Sequence, residues 1–191
     1  MPKPLLLALM LASAWPGQAA VPEAAASAGC RDEAAKGSER AARLPALTGR
    51  VVDQADLLSP SAEARVTEAL AAIERRTSDQ VVVVTVGDLE GEAIEAFGLR
   101  LGNGWGIGRK DVNNGILLIV APNERRVRIE VGSGLEGLLT DERAKRIIEE
   151  ELLPRFASRQ YEEGIRAGVG AIDAVISSDL KRPQLRRKEA A

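Results

Sequence analysis

Residues 116–131 read ILLIVAPNERRVRIEV, two strands and the turn between them. Ile116 to Ala121 is an apolar run with no alternation, the pattern of a strand covered on both faces. Pro122-Asn123-Glu124-Arg125 supplies the turn of a β-hairpin. In the return, Arg126, Arg128 and Glu130 alternate with Val127, Ile129 and Val131. Period two means one wet face, so this strand lies nearer an edge of its sheet.

Upstream, Val81 to Val84 with Val86 form a second two-sided strand, ended by Gly87-Asp88. Between the two strands, Ile94, Phe97 and Leu101 fall at helical spacing, followed by the glycine-rich stretch GNGWGIGRKDVNNG. Val51-Val52 suggests a short first strand. Ser59-Pro60 then starts a helix, a hydroxyl to cap free amides before proline in the first turn. Val66, Leu70 and Ile73 form its buried face. After the hairpin, Thr140 caps a helix whose first turn holds Asp141 and Glu142. Ile147, Ile148, Leu152 and Leu153 are its expected buried face, and Pro154 breaks or bends it. A last helix turns Ile165, Val169, Ile172 and Ile176 inward. The order β-α-β-α-β-β-α-α predicts a three-layer α/β/α sandwich with a central mixed β-sheet, over residues 47–180.

The flanks read differently. Residues 1–19 have Lys3, an apolar run from Leu5 to Ala14 and then small residues, the pattern of a secretory signal peptide. The run is too short to span a bilayer. The expectation is an exported, periplasmic protein. Residues 20–46 are rich in Ala, Glu, Ser and Gly and read as a flexible linker. Cys30 in SAGC lies far from the apolar run and reads as a free cysteine rather than a lipid-attachment site. Residues 181–191 carry five basic residues and one acid, so the formal net charge of −2 conceals an acidic body and a basic tail. That balance argues against nucleic acid, which wants a broad basic face. The tail could make weak contact with anionic lipid. The chain contains no histidine and a single cysteine, which excludes Ser-His and Cys-His nucleophile pairs, the usual zinc sites and an internal disulfide. Neither haem nor a nucleotide is expected: the glycines of GNGWGIG follow a helix, whereas the nucleotide-binding fingerprint follows a strand.

Chemistry must then come from oxygen-bearing side chains. Asp53 and Asp56 follow the first strand, Asp111, Asn113 and Asn114 precede a central one, and Asp141 opens a helix. If these connections gather in one crevice, carboxylates and amide oxygens suit Ca²⁺ or Mg²⁺. Each residue also has a plain structural reading: an Asx-turn for Asp53 or Asp56, a positive-φ turn at Asn113-Asn114-Gly115, and a helix-dipole partner in Asp141. Trp105, Ser133 and Gly134 are candidate ligand contacts, Trp105 by stacking and the other two through amides facing an anion.

The segments GRVVDQADLLS, TSDQVVVVTV, WGIGRKDVNNGILLIVA, RRVRIEVGSGLEGLLTD and LPRF…YEEGI, in this order, resemble the TPM domain family. The likeness covers about residues 47 to 177. Members of that family are exported or lumenal and include thylakoid-lumen proteins of photosystem II repair. The resemblance implies an assembly or quality-control module for envelope membrane proteins. It implies as the alternative a cation-dependent acid phosphatase acting on phosphomonoesters. Asp53, Asp56, Asn114 and Asp141 match the family pattern best. This chain departs from it at Ser133, where an aromatic is common, and in ending on a basic stub rather than a membrane helix and glycine-rich tail.

Overall fold

The computed structural model describes residues 44–180. The expected signal peptide, most of the expected linker with Cys30, and residues 181–191 lie outside the described residues. Four strands form one sheet in the order β1-β2-β3-β4: β1 (Val51–Asp53), β2 (Gln80–Thr85), β3 (Gly115–Ala121) and β4 (Arg126–Val131). The first three run parallel, and β4 returns antiparallel to β3 with Leu118 opposite Ile129. All seven residues of β3 are buried, as its unbroken apolar run requires. The strand with alternating charges is an edge.

Alternation along the strands sorts the core into two layers. Val81, Val83, Leu118, Val120 and Ile129 face α1 (Pro60–Thr77) and α5 (Tyr161–Leu180). Val82, Val84, Leu117 and Ile119 face α2 (Ile94–Trp105). Burial of each such side chain stabilises the fold by about 1.5–3 kcal/mol. The three-layer mixed α/β sandwich is therefore as expected. Its handedness is less ordinary. The crossovers β1-α1-β2 and β2-α2-β3 step across the sheet in the same direction, yet their helices cover opposite faces. One of them is necessarily left-handed, against a strong general preference.

The expected caps are present. The Ser59 hydroxyl accepts from the Ala62 amide at 3.3 Å, and the Thr140 hydroxyl from the Arg143 amide at 3.4 Å. The helix with the internal proline resolves into α3 (Asp141–Ile147), one wide π-type turn (Ile148–Leu152) and α4 (Leu153–Ala157). Pro154 has no N–H, and its ring would press on the carbonyl four residues back. The wider turn, with the Leu153 amide bonded to the Ile148 carbonyl, relieves that clash. It also rotates the helix face. Leu152 is fully buried, but Leu153, expected beside it, is 42% exposed.

The start of α1 is tied to α5 by Glu162, whose Oε1 accepts from the Ser59 amide at 2.9 Å. The Ser59 amide, then the Ser59 hydroxyl, hold this carboxyl below the ordinary glutamate value, and Arg65 adds a smaller pull. A depressed carboxyl contributes stability above its unfolded value and loses it as pH falls through the folded one. Glu162→Gln is therefore expected to lower the urea midpoint at neutral pH and to match the parent in strong acid.

Candidate functional site

In a sheet of parallel strands, the residue after a strand and the residue before one lie at opposite ends. Asp53 ends β1 opposite Thr85, the last residue of β2, whereas Asn114 precedes β3 beside Gln80, the first. The length of β2 separates them, about 17 Å at 3.3 Å per residue. The oxygen-bearing residues are thus not brought to one hollow.

At the carboxyl edge, Asp53 closes the β1–α1 loop. Its Oδ1 accepts from the Leu57 amide at 3.1 Å and its Oδ2 from the Leu58 amide at 2.8 Å, while the Thr85 hydroxyl donates to Oδ1. Asp56 is exposed, with φ +50°, and shapes the same loop. These are turn roles. Asp141 is exposed at the positive end of α3. It lies close enough to add to the rise of the Arg128 value, which comes first from the hydrogen bond to Glu130, with Glu95 a further contributor.

At the amino edge, Asn114 is 3% exposed and its side chain is a latch between three segments. Its Oδ1 accepts from the Arg109 amide at 3.0 Å. Its Nδ2 donates to the Ser78 carbonyl at 2.7 Å and to Asp79 Oδ1 at 3.0 Å. Its carbonyl accepts from the Gln80 amide at 3.0 Å. Gln80 Oε1 in turn accepts from the Gly108 amide at 2.7 Å. Asp79 is the residue missed from the sequence. It is buried, and its Oδ2 has no hydrogen-bond partner among the described residues. Its position was readable, since it stands before Val81–Val84 as Asn114 stands before Ile116–Ala121.

Glycines bring the amino-edge loops into backbone contact. A Cβ on Gly134 would lie 1.9 Å from the Val112 carbonyl oxygen, on Gly132 2.1 Å from that of Asn113, and on Gly115 2.4 Å from that of Ile107. The Gly134 amide donates to the Asn113 carbonyl at 3.1 Å and the Gly132 amide to that of Gly115 at 2.7 Å. The segments 106–115 and 132–134 therefore form one laced shelf. On the sheet side, α2 sits low because a Cβ on Gly98 would meet Glu130 Cγ at 2.8 Å.

Between this helix and the shelf opens a cleft of about 320 Å³. Leu117, Glu130 and Val131 form its floor, Gly98, Leu99, Gly102 and Asn103 one wall, and Ile107, Asn113, Gly115, Gly132 and Ser133 the other. Glu130 Oε1 takes Arg128 Nε at 2.6 Å. The side chains of Asn103, Asn113 and Ser133 have no hydrogen-bond partner among the described residues. Leu99, 63% exposed, and Val112, 43%, stand on either side. The structure thus unites Asn113 and Ser133, from separate parts of the sequence-derived set, with Glu130, which was not in it. Gly134 supports the shelf, and Asp111 is exposed and pairs loosely with Arg109 at 3.7 Å. Trp105 is a packing residue: its ring lies against the second core layer and its Nε1 donates to the Pro45 carbonyl at 2.8 Å.

As one cation shell the expected set does not fit. Both oxygens of Asp53 and the oxygen of Asn114 already accept hydrogen bonds, and no group of three His, Cys, Asp or Glu side chains suited to a metal occurs among the described residues. Among those residues no helix is long and apolar enough to cross a membrane.

Comparison with known proteins gives a consistent likeness. A family model described as the TPM domain matches residues 51–175. No curated protein matches the chain. The solution structure of the N-terminal domain of a protein from P. gingivalis is 39% identical, with a TM-score of 0.66, over 70% of this chain and 85% of that one. The N-terminal domain of the cg2496 protein from Corynebacterium glutamicum is 15% identical, with a TM-score of 0.55, over 69% and 82%. The BA42 protein from the psychrophilic bacterium Bizionia argentinensis is 14% identical, with a TM-score of 0.58, over 65% and 84%. The last two share the fold.

Proposed function

This chain belongs to the TPM domain family, and from that premise we propose that it is an exported binding module that holds a segment of an envelope membrane protein during assembly or quality control. The observation that carries the reading is the amino-edge cleft. Three polar side chains without partners among the described residues face a hollow that rigid, glycine-laced backbone has already shaped, with exposed apolar residues beside it. Pre-formed concavity with a few convergent polar groups is the mark of a recognition site. At about 320 Å³ the cleft suits one or two side chains of a peptide segment, with Asn103, Asn113 and Ser133 bonding its backbone and Leu99 covering an apolar neighbour.

A photoreactive residue at Ser133, in cells, tests this. The expected result is an adduct to a defined segment of an envelope protein, at least tenfold weaker when Leu99→Glu is added. Equal adducts from a probe at Glu68, on the exposed side of α1, would remove the proposal. Ser133→Trp fills the cleft from an exposed position and is expected to abolish capture with no change in melting temperature. A phosphomonoester assay with calcium or magnesium, run beside Asp141→Asn, separates this reading from the phosphatase that the resemblance also implies. Turnover lost in the variant would replace a binding module by an enzyme.

A further inference from the structure

A second hollow lies at the opposite end of the sheet. The β3–β4 hairpin and the corner between α4 and α5 enclose a groove of about 920 Å³, and no acidic side chain lines it. Arg125 and Arg159 do line it, and neither has an acidic partner among the described residues, where most other arginines are paired. Both also hold a left-handed backbone, with φ +55° at Arg125 and +58° at Arg159. Glycine or asparagine is the unstrained choice at such a position. Arginine stands at two of the six such non-glycine positions among the described residues, and the two come from separate turns bordering one groove. Arg126 also borders the groove, but alternation along β4 turns its side chain with Arg128 and Glu130 to the other face.

The corner that carries Arg159 is otherwise apolar. Phe156 and Tyr161 pack with ring centroids 5.2 Å apart, and Leu153 stands exposed where the π-type turn rotated it outward. Two arginines bordering one groove from its two sides, with apolar side chains beside Arg159, match an oxyanion carried on an apolar body. An acidic peptide fits less well, because its backbone amides would lie unpaired against those apolar side chains. We propose that this groove docks the phosphate of an acidic phospholipid at a bilayer surface, between Arg125 and Arg159, with the lipid stem against Phe156 and Leu153.

Vesicle flotation of the full chain tests the proposal, with phosphatidylglycerol mixed into phosphatidylcholine and phosphatidylcholine alone as the reference. The double variant Arg125→Gly/Arg159→Gly is expected to lower the affinity for acidic vesicles about thirtyfold, from about 1 kcal/mol per arginine at a charged surface. It is expected to melt at or above the parent temperature, since glycine removes the strain. Arg125→Asn/Arg159→Asn, tolerant of the same backbone, is the second variant and is expected to lose binding equally. The charge-matched Lys110→Gln/Arg146→Gln is expected to change binding only a few-fold. Three results would overturn the proposal: equal loss in that control, binding that vanishes on removing residues 181–191 with both arginines in place, or inorganic phosphate perturbing Arg125 and Arg159 in a protein that ignores acidic vesicles.

Discussion

Asn114→Asp is expected to cost about 3–5 kcal/mol at neutral pH, the penalty for an uncompensated charge in a buried site. The change leaves volume and shape intact, so packing is not the cause. It removes the two N–H donors that reach the Ser78 carbonyl and Asp79 Oδ1, and sets a second carboxylate against Asp79 where both residues are 3% exposed. Urea denaturation measures the loss directly. Asn113→Asp, one residue away but exposed, is the control and is expected to stay within about 0.5 kcal/mol. The reversed pair Asp79→Asn/Asn114→Asp restores an amide facing a carboxylate and is expected to recover part of the loss, a positive coupling readable in a double-mutant cycle. If the two single variants and the double simply add, Asn114 is not the latch its bonds describe.

That residue shows where the sequence is eloquent and where it is silent. Periodicity is local, so the unbroken run of β3, the alternation of β4, the caps at Ser59 and Thr140 and the inward faces of α1 and α5 were all legible. Which connections meet is not local. Grouping Asp53 with Asn114 treated the residues after a strand and those before one as neighbours, and parallel pairing of β1, β2 and β3 puts them at opposite edges. The antiparallel return of β4 works the other way. It brings residues 132–134 back to the amino edge beside Asn113, which is why Ser133 and Asn113 share the cleft while Asp53 cannot. Leu153 was misplaced for a different reason. An ideal helical period was carried from Ile147 to Leu153, and the wide turn at Ile148–Leu152 shifts the face just before Pro154.

Handedness bears on the site as well. Because α2 covers its face alone among the described helices, it leaves the β4 side of that face open, and the cleft forms along its flank. Two glycines of the helix then share a task. Gly98 and Gly102 let it lie close to Glu130 and Leu117, so the floor of the cleft is sheet rather than helix side chain.

The lacing of the shelf sets the other large expectation. Gly134→Val is expected to destabilise the protein by about 3 kcal/mol, the upper range for forcing atoms into a packed site, and to abolish capture through the cleft. The reason is not backbone freedom, since Gly134 has no positive φ. It is contact: the added Cβ would sit 1.9 Å from the Val112 carbonyl oxygen, a backbone atom that cannot swing aside as a side chain end can. Relief requires the loops to part, which breaks the bond from the Gly134 amide to the Asn113 carbonyl and moves Asn113 away from Ser133. A loss of that size lowers the melting temperature by about 10 °C in a domain of this length. Gly170→Ala is the opposite case. Nothing lies within 4 Å of its would-be Cβ inside α5, so the variant is expected to gain about 0.5–1 kcal/mol from helix propensity. Combining Gly170→Ala with Gly134→Val divides stability from function. The pair is expected to regain part of the melting temperature and none of the capture, whereas recovery of both would mean that the shelf matters only as ballast for the fold.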